Sequence, residues 1–576
     1  MVERTIRVNL DKKAILAERV PEDYELLGGR GLIAKILTKE TPPLCDPLSG
    51  ENKLVICPGP LAGTMAPSFG RTSVGGKSPL TMGIKESNAG GTVGQKLGKL
   101  GIKAIIIEGK LKEETPYILK IDPENSRLTS APELKGKGNY ETTEILAHKF
   151  GNKVAIISIG PCGEMKLKSA SIAFTDLEGR PCRQAARGGL GAVMGSKGLK
   201  AIVIDDHDLP ITKPKYPEAF RNGIKSLLNI LRGDRGVPSY RSIYGTSGVL
   251  NIINALGCLP TRNFREGSFD GAEQISGETL KELNQIRGGK MHACMPGCII
   301  KCSNVFYDKD RKYLTAALEY ETISLMGSNL GIADLDTIAQ MDRICDDLGL
   351  DTIEIGNALG LFMEAGTLHF GDKKETIELL KEIGKGTARG KILGDGAVTS
   401  GHFFNIKRIA HAKGQGLAAH DPRVCKPVGV TYCTSPMGGD HTAGVDYSND
   451  PSDKETALQK SRQVQIIVAL VDTLGYCLLS MPLDKNTLIE PFTNILNAHF
   501  GKDLIPGDLL GIGCQVITYE LAFNEAAGLS SQQFYLPEFF CTEPLPPRGS
   551  VFDVDREKIK RIWNDCGQIN DRKSNT

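Results

Sequence analysis

The chain has 576 residues, which is too long for one ordinary hydrophobic core, so about three domains are expected. Its 70 Lys and Arg balance 68 Asp and Glu, and this argues against a nucleic-acid-binding protein, which usually carries a clear basic excess. The N-terminus shows no apolar signal segment. The most apolar helical stretch, 464–479, contains Asp472 and Gly475 and is shorter than a membrane span. We therefore expect a soluble, cytoplasmic protein.

The N-terminal third contains an internal repeat. Residues 91–108 and 191–205 each read as a Gly-rich turn, a short basic helix and a buried strand, the strands being 104–108 and 201–205. The repeat predicts two similar halves about a pseudo-two-fold axis. Gly-rich turns let backbone N–H groups approach phosphates. A Rossmann site is disfavoured, because the glycines of segment 189–195 have the wrong spacing and no P-loop motif is present.

Several candidate binding residues in this third lie in glycine-containing segments. They are Arg71 in S-F-G-R-T, Asn88 and Gly90 in S-N-A-G-G, and Arg183 and Arg187 in C-R-Q-A-A-R-G-G. Taken singly, each is typical of a turn with an exposed side chain. Taken together, they predict a two-sided site for an anionic ligand.

Fifteen cysteines are many for a cytosolic chain, in which disulfides are rare. Cys294, Cys298 and Cys302 follow a C-x₃-C-x₃-C spacing, and Pro296 and Gly297 predict a turn leading into a helix that starts near Cys298. Three thiolates on one loop suit an iron–sulfur cluster that takes a fourth cysteine from elsewhere. Zinc would more often show two C-x₂₋₄-C pairs. A core segment without metal remains the alternative on spacing alone.

Two predicted helices, 335–349 and 461–475, end in a shared pattern with glycine at C′. An acidic residue in the last turn faces the negative end of the helix dipole, at a cost of about 0.3–1 kcal/mol. Its presence in both helices indicates that each carboxylate accepts hydrogen bonds from a ligand, and a pterin offers a suitable edge of N–H groups. The two patterns are Asp346-x-x-Gly349-Leu350-Asp351 and Asp472-x-x-Gly475-Tyr476-Cys477, so Cys477 can supply the fourth cysteine of a cluster.

Ordered blocks along the chain resemble the tungsten-containing aldehyde:ferredoxin oxidoreductases. The blocks are S-F-G-R-T-S-V-G-G-K-S-P-L at 68–80, S-N-A-G-G at 87–91, A-R-G-G-L-G-A-V-M-G-S-K at 186–197, E-Y-E-T-I at 319–323, H-D-P-R at 420–423, G-G-D-H at 438–441 and the two D-x-x-G-x-[DC] loops. The resemblance implies an α+β fold. An N-terminal domain of two pseudo-symmetric β-sheets, 1–208, would form a pterin-binding base, and two mainly α-helical domains, 209–412 and 413–576, would close over it.

The same resemblance implies the cofactors and their ligands. A tungsten or molybdenum ion would be held by two pterins without a protein ligand, beside one [4Fe-4S] cluster and a Mg²⁺ that bridges the pterin phosphates. The cluster ligands would be Cys294, Cys298, Cys302 and Cys477. The pterin loops would contribute Asp346, Leu350, Asp351, Asp472 and Tyr476, with Arg71 between cluster and pterin, and with Asn88, Gly90, Arg183 and Arg187 at the phosphates and the magnesium.

The implied activity is oxidation of a small-molecule aldehyde to a carboxylic acid, with electrons passing to ferredoxin or a small polyferredoxin subunit. Glu321 and His441 would be the acid–base residues. A carboxyl group in a dry pocket is expected to have a raised pKa, and His441 could donate a hydrogen bond to the carbonyl. One alternative is a subunit of a tungsten-dependent aromatic acyl-CoA ring reductase of the benzoyl-CoA type. Another is a non-catalytic electron-transfer or scaffold subunit without the metal.

The sequence departs from the family pattern at three places. The first cysteine spacing is x₃ where other members have C-x-x-C. Gln340 and Arg343 replace an E-x-x-H pair that binds iron between subunits in some members, so an oligomer of that metal-bridged kind is not expected. Gln184 stands beside the predicted phosphate site in place of a small residue.

Overall fold

The structure is a computed structural model that describes residues 3–234, 238–446, 454–564 and 566. Its N-terminal part contains two six-stranded mixed sheets. The first has the order β2-β1-β6-β3-β4-β5, with β1 (Arg4–Asn9), β2 (Ala14–Arg19), β3 (Leu54–Pro58), β4 (Thr72–Lys77), β5 (Ile84–Ala89) and β6 (Ile102–Glu108). The second has the order β8-β7-β12-β9-β10-β11, with β7 (Tyr117–Ile121), β8 (Ser126–Ser130), β9 (Ala155–Ser158), β10 (Ile172–Phe174), β11 (Arg183–Ala185) and β12 (Leu199–Ile204).

The two sheets share one topology. In each, the first strand pairs in parallel with the last, β1 with β6 and β7 with β12, while every other neighbouring pair is antiparallel. Each repeated segment runs through a short helix into the last strand of its sheet, β6 or β12. The predicted pair of similar halves is therefore confirmed.

The sheets pack face to face, and alternate residues of each strand enter the core between them. In β6, Ile105 and Ile107 lie in this shared core, whereas Ala104 and Ile106 face the helix on the outer side, α1 (Gly29–Glu40). This alternation is the period of two that a strand buried on both faces requires. The remaining helices of this part are α2 (Val93–Lys99), α3 (Asn139–Phe150), α4 (Pro161–Glu164) and α5 (Leu190–Ser196).

The rest of the chain is mainly helical. Its first portion contains α6 (Pro217–Gly233), α7 (Pro238–Tyr244), α8 (Leu250–Leu256), α9 (Gly277–Arg287), α10 (Tyr320–Met326), α11 (Leu335–Leu348), α12 (Thr352–Glu364), α13 (Lys373–Lys385), α14 (Ala388–Gly394) and α15 (Ala397–Phe403). Its second portion contains α16 (Lys426–Thr434), α17 (Lys454–Leu474), α18 (Ile489–Phe500), α19 (Pro506–Ala526), α20 (Phe539–Thr542) and α21 (Arg556–Lys560). The short strands are β13 (Lys290–His292), β14 (Ser303–Tyr307), β15 (Tyr313–Ala316), β16 (His411–Ala412) and β17 (Gln415–Gly416).

Local predictions for the helical part have mixed outcomes. Helices α11 and α17 end where the sequence predicted, with Gly349 at φ 73° and Gly475 at φ 64°. The helix predicted to start near Cys298 is wrong, because the segment between β13 and β14 consists of turns and bends. Gly297 and Lys301 there have positive φ angles of 73° and 56°, which a right-handed helix does not accept. Among the described residues, no helix is long and apolar enough to cross a membrane.

Candidate functional site

The two aspartate loops occupy equivalent positions on the two-sheet base. Segment 68–71, just before β4, pairs through its backbone with loop 475–477 after α17, and segment 169–171, just before β10, pairs in the same way with loop 349–351 after α11. Since β4 and β10 hold the same place in their sheets, the pseudo-symmetry of the base extends to both loops. The hydrogen bonds are Arg71 N to Gly475 O (3.1 Å), Cys477 N to Ser68 O (2.9 Å), Ser171 N to Gly349 O (3.0 Å) and Asp351 N to Ser169 O (2.9 Å).

A pair of glycines permits this close approach. A Cβ atom on Gly59, just after β3, would lie 2.0 Å from Leu474 O, and a Cβ atom on Gly160, just after β9, would lie 2.1 Å from Leu348 O. Both are far below van der Waals contact, so only glycine fits at these two positions. These equivalent glycines were not predicted from the sequence, in which nothing distinguishes them from other turn glycines.

Asp472 lies buried among polar side chains of the first half. Its Oδ1 accepts from Asn88 Nδ2 at 3.3 Å, and its Oδ2 lies 3.5 Å from Arg30 Nη1. Burial, together with the nearby charge of Glu86, raises the pKa of Asp472 well above its usual range. A carboxyl group in this state gains from any ligand that offers N–H donors to its charged form.

Asp346 has the equivalent environment in the second half. Its Oδ1 accepts from Gln184 Nε2 at 3.1 Å, and burial followed by the charge of Asp342 raises its pKa well above the usual range. Asn88 stands opposite Ser73 on β4 and Gln184 opposite Ala173 on β10, so the two amides are symmetry counterparts. Gln184, a departure from the family pattern, therefore repeats in one half the contact that Asn88 makes in the other.

Among the described buried polar atoms that have no hydrogen-bond partner in the protein are Asp346 Oδ2 and Arg183 Nε. Buried polar atoms are nearly always paired, so unpaired ones point to a missing partner. One is an acceptor and the other a cationic donor, which suits a ligand that carries both N–H groups and phosphate. Arg183 opens β11, and a hydrogen bond from Arg187 N to Ser87 Oγ (3.3 Å) joins the end of this strand to β5, so the predicted glycine-flanked residues are brought together.

Arg71 and its counterpart Ser171 mark a difference between the halves. Arg71 donates from Nη2 to Asn88 O at 2.9 Å and from Nε to Asn88 Oδ1. Ser171 Oγ donates to Gln184 Oε1 at 2.8 Å. Burial acts to lower the pKa of Arg71, but the negative charges of Cys477 and Cys294 help to raise it. Arg71 therefore lies beside these cysteines.

Three other predicted residues are occupied by protein contacts. Arg187 Nε donates to Asp351 Oδ2 at 3.2 Å, and its Nη1 donates to Gly439 O at 2.7 Å. Asp351 Oδ1 caps α12 by accepting from Ile353 N at 2.9 Å. The Tyr476 hydroxyl donates to a backbone carbonyl, and its ring packs against two phenylalanines. These side chains build the loops around the site.

Leu350 contributes through its backbone. It forms an isolated antiparallel bridge with Ala170. Its side chain is buried in the largest core cluster. The structure therefore places it as a structural residue of loop 349–351, the second aspartate loop.

The four predicted cluster cysteines come together in one buried group with Met295 and Ile300. The Cys294 and Cys298 thiols act on each other, which raises the pKa of Cys294 and lowers that of Cys298, and Cys298 Sγ accepts from Lys301 N at 3.4 Å. Gly90 faces this group, since a Cβ atom there would lie 3.0 Å from Cys294 Sγ. The turn between β13 and β14 and the loop after α17 thus deliver thiols from distant parts of the chain to one point.

The distances between these sulfur atoms indicate which kind of metal group the cysteines could hold. A single zinc with Zn–S bonds of about 2.3 Å needs its sulfurs within about 3.8 Å of one another. Among the described residues, the sets of three ligand atoms mutually within 4.8 Å do not include these cysteines. The arrangement therefore suits a larger multi-iron cluster, with one thiolate for each of four irons.

Glu321 and His441 meet in a separate, partly buried group. Glu321 lies in the first turn of α10, and its Oε1 is 3.2 Å from His441 Nε2. The same Oε1 is 3.0 Å from His420 Nε2, while Oε2 accepts from Ala419 N at 2.7 Å. His420 was not predicted as a site residue, because a single histidine in H-D-P-R has no local signature.

The expected raised pKa of Glu321 is wrong. Burial acts to raise it, but the charges of His441 and His420 and the hydrogen bonds to this carboxylate lower the pKa to about 2. His441 behaves oppositely, since burial lowers its pKa despite the charge of Glu321. Near neutral pH the pair is therefore a carboxylate and a neutral imidazole.

This group is tied to the second aspartate loop. Thr322, next to Glu321, shares a hydrogen bond of 2.8 Å with Thr352, next to Asp351. The loop that carries His441 is held by Lys85 of β5, whose Nζ lies 2.6 Å from Asp440 Oδ2. The acid–base group therefore lies over the same base as the aspartate loops.

Comparison with known proteins agrees with this architecture. Residues 5–206 match the model of the aldehyde ferredoxin oxidoreductase N-terminal domain, and residues 224–564 match that of domains 2 and 3. The tungsten-containing aldehyde ferredoxin oxidoreductase of Pyrococcus horikoshii is 34% identical over 99% of this chain and 97% of its own. That of Pyrococcus furiosus is 35% identical over 98% and 97%.

More distant relatives include a subunit of another oxidoreductase. The WOR-like subunit of aliphatic sulfonate oxidoreductase from Pyrococcus furiosus is 30% identical over 76% of this chain and 74% of its own. The active-site complex of benzoyl coenzyme A reductase with 1,5-dienoyl-CoA has the same fold, with a TM-score of 0.82, 21% identity and coverage of 98% and 94%. The chain belongs to the aldehyde ferredoxin oxidoreductase family.

Proposed function

We propose that this protein oxidises an aldehyde to the carboxylic acid and passes the electrons to ferredoxin or an iron–sulfur partner subunit. The observation that carries the proposal is the partly buried Glu321–His441 pair, held over the two-sheet N-terminal part, whose two symmetric loops present Asp346 and Asp472. The reaction converts RCHO and H₂O to RCOO⁻, three protons and two electrons. It therefore needs an electron acceptor and a base in the same pocket.

The residues of the two-sheet N-terminal part fit two pterins. Asp346 and Asp472 would each receive the N–H edge of one pterin, and Arg183, whose Nε has no protein partner, would bind phosphate. Asn88, Gly90 and the 183–187 segment would hold a magnesium ion that neutralises phosphate charge. When bound, a tungsten or molybdenum bis-pterin centre supplies the two-electron acceptor for the aldehyde.

The general base of the reaction is identified from the protonation states of Glu321 and His441. Glu321 is ionised and its Oε1 lies 3.2 Å from His441 Nε2, which favours the imidazole tautomer protonated at Nε2 and leaves Nδ1 without a proton. That Nδ1 is buried and has no hydrogen-bond partner. In the proposed reaction, Nδ1 takes a proton from water as the water oxygen attacks the carbonyl carbon, and the carboxylate stabilises the resulting imidazolium. This role differs from the expected hydrogen-bond donation to the carbonyl.

The four cysteines provide the exit for the electrons. A [4Fe-4S] cluster held by Cys294, Cys298, Cys302 and Cys477 would lie beside the Asp472 loop, because Cys477 belongs to that loop. Arg71 stands between them, with its guanidinium on Asn88 and near the thiols. An external iron–sulfur protein would then accept the electrons one at a time.

The test is anaerobic turnover of purified holoenzyme with a viologen dye and a panel of aliphatic and aromatic aldehydes. The proposal expects dye reduction with stoichiometric carboxylate, and a ferredoxin should replace the dye. Tungsten or molybdenum and about four irons per chain should be found by elemental analysis. Turnover of an aryl-CoA thioester with none of the aldehydes would instead identify a ring reductase, and iron without either heavy metal would identify a non-catalytic subunit.

A further inference from the structure

His420 is a third member of the acid–base group and lies beside His441. Its side chain is 1% exposed, and its Nε2 lies 3.0 Å from the same Glu321 Oε1 that His441 approaches at 3.2 Å. The two imidazole rings have centroids 5.5 Å apart. One carboxylate oxygen is therefore held between two imidazole nitrogens.

The position of the His420 ring is itself set by two contacts of its loop. The ring stacks on Tyr320, with centroids 5.2 Å apart and an interplanar angle of 18°. The Tyr320 hydroxyl donates to Ala419 O at 2.6 Å, while Ala419 N donates to Glu321 Oε2 at 2.7 Å. The first turn of α10 and the loop before α16 thus bind each other through Ala419, the residue next to the histidine.

We propose that His420 is a positioning residue that holds Glu321 in place and limits how strongly this carboxylate attracts a proton on His441. The inference rests on the proposed function, since it assigns His441 as the base. His420 and His441 both approach one carboxylate oxygen, so its negative charge is shared between them and each is held less strongly than it would be alone. Without the donor of His420, Glu321 would hold the His441 proton more tightly.

The expected effect on catalysis follows from the groups that face His441. They are Glu321 from α10, His420 from the loop before α16, Asp440 from its own loop and Arg187 from the N-terminal part. Only the His420 donor is removed by His420→Phe, which keeps a ring for the stack on Tyr320. The carboxylate then stabilises the imidazolium of His441 more, so the pKa of His441 rises and the base is lost at a higher pH.

The experiment is the pH profile of kcat/KM for aldehyde oxidation in holoenzyme of wild type, His420→Phe and His420→Gln. Loss of a hydrogen bond to a charged group corresponds to roughly one to two pH units, so the acidic limb should move up by about one unit or more in His420→Phe. His420→Gln keeps an N–H donor at this position and should leave the limb near that of wild type. His420→Leu serves in place of the phenylalanine variant if that variant does not retain its metals.

An unmoved limb in the donor-free variants, at wild-type metal content, would overturn the inference while leaving aldehyde oxidation intact. A purely structural role would lower kcat in all variants without moving the acidic limb of the pH profile.

If wild type oxidises no aldehyde, the proposed function fails, and the melting temperature then tests whether His420 holds Glu321 in place. The lowered pKa of Glu321 stabilises the fold above the ordinary glutamate pKa of about 4.3 and loses this contribution as pH falls towards 2. The gap in melting temperature between wild type and His420→Phe should therefore narrow below about pH 4, and a constant gap would refute the role.

Discussion

The buried ion pair of Arg30 with Glu520 offers a quantitative test of how the base is held to the helical part. Arg30 lies in the first turn of α1 and Glu520 in α19, and their side chains are 3% and 0% exposed. The pair is bidentate, with both hydrogen bonds at 2.8 Å. The third guanidinium nitrogen, Nη1, lies 3.5 Å from Asp472 Oδ2. The perturbation is Glu520→Gln, which preserves shape and removes the charge.

The magnitude follows from the burial of the pair. Removing one partner leaves the other charge buried without compensation, which typically lowers the free energy of unfolding by about 3–5 kcal/mol. For a cooperative unit of 150–250 residues, each kcal/mol corresponds to roughly 2–4 °C in melting temperature. The variant should therefore melt roughly 6–20 °C lower. Replacement of both partners, Arg30→Met with Glu520→Leu, should lose far less, because no charge is then left buried.

Calorimetry of wild type, Arg30→Met, Glu520→Leu and the double variant that combines these two changes gives the coupling free energy directly. The reasoning would be refuted if Glu520→Gln melted within about 2 °C of wild type, or if the losses of the single variants simply added. A second readout separates the two partners. Arg30→Met also removes the cation that opposes the raised pKa of Asp472, so it should lower the bound tungsten or molybdenum more than Glu520→Leu does.

Three further outcomes are expected. Glu321→Gln should lower kcat/KM for aldehydes by about 10²–10⁴-fold at unchanged tungsten and iron contents, because His441 loses the carboxylate that stabilises its charged form. Cys477→Ala should lose the electron paramagnetic resonance signal of the cluster, whereas Cys345→Ala, at a buried cysteine away from it, should keep the signal. In cofactor-free protein, the raised pKa of Asp346 favours folding below the ordinary aspartate pKa, and this stability is lost as pH rises. The Asp346→Asn variant should therefore show a weaker decline in melting temperature above about pH 4.

Features that depend on near neighbours in the chain were predictable. The ends of α11 and α17 follow from a helical period and a glycine that adopts positive φ. The two similar halves follow from repeated turn, helix and strand patterns. Each signal lies within about 20 residues, and helix ends, turns and buried strands are largely local.

Features that depend on distant contacts were not predictable. His420 joins Glu321 across almost a hundred residues, and only the folded chain shows that the two imidazoles share one carboxylate. For the same reason the pKa of Glu321 was expected to rise, as burial alone would dictate, whereas its partners lower it. The cysteine turn failed as a helix because its direction is set by the flanking strands β13 and β14.

Under the proposed function, the symmetry of the two-sheet N-terminal part shows how one scaffold would keep the path of the electrons apart from the acid–base group. Cys477 and Asp351 occupy equivalent positions in the two aspartate loops. Arg71 and Ser171 occupy equivalent positions just before β4 and β10. In the first half, the cysteine and the arginine face the proposed cluster. In the second half, Asp351 binds Arg187, which also holds the loop carrying His441. Under the proposed function, the duplicated fold would bind two similar ligands, while the differences at matched positions would direct one half to electron transfer and the other to the acid–base group.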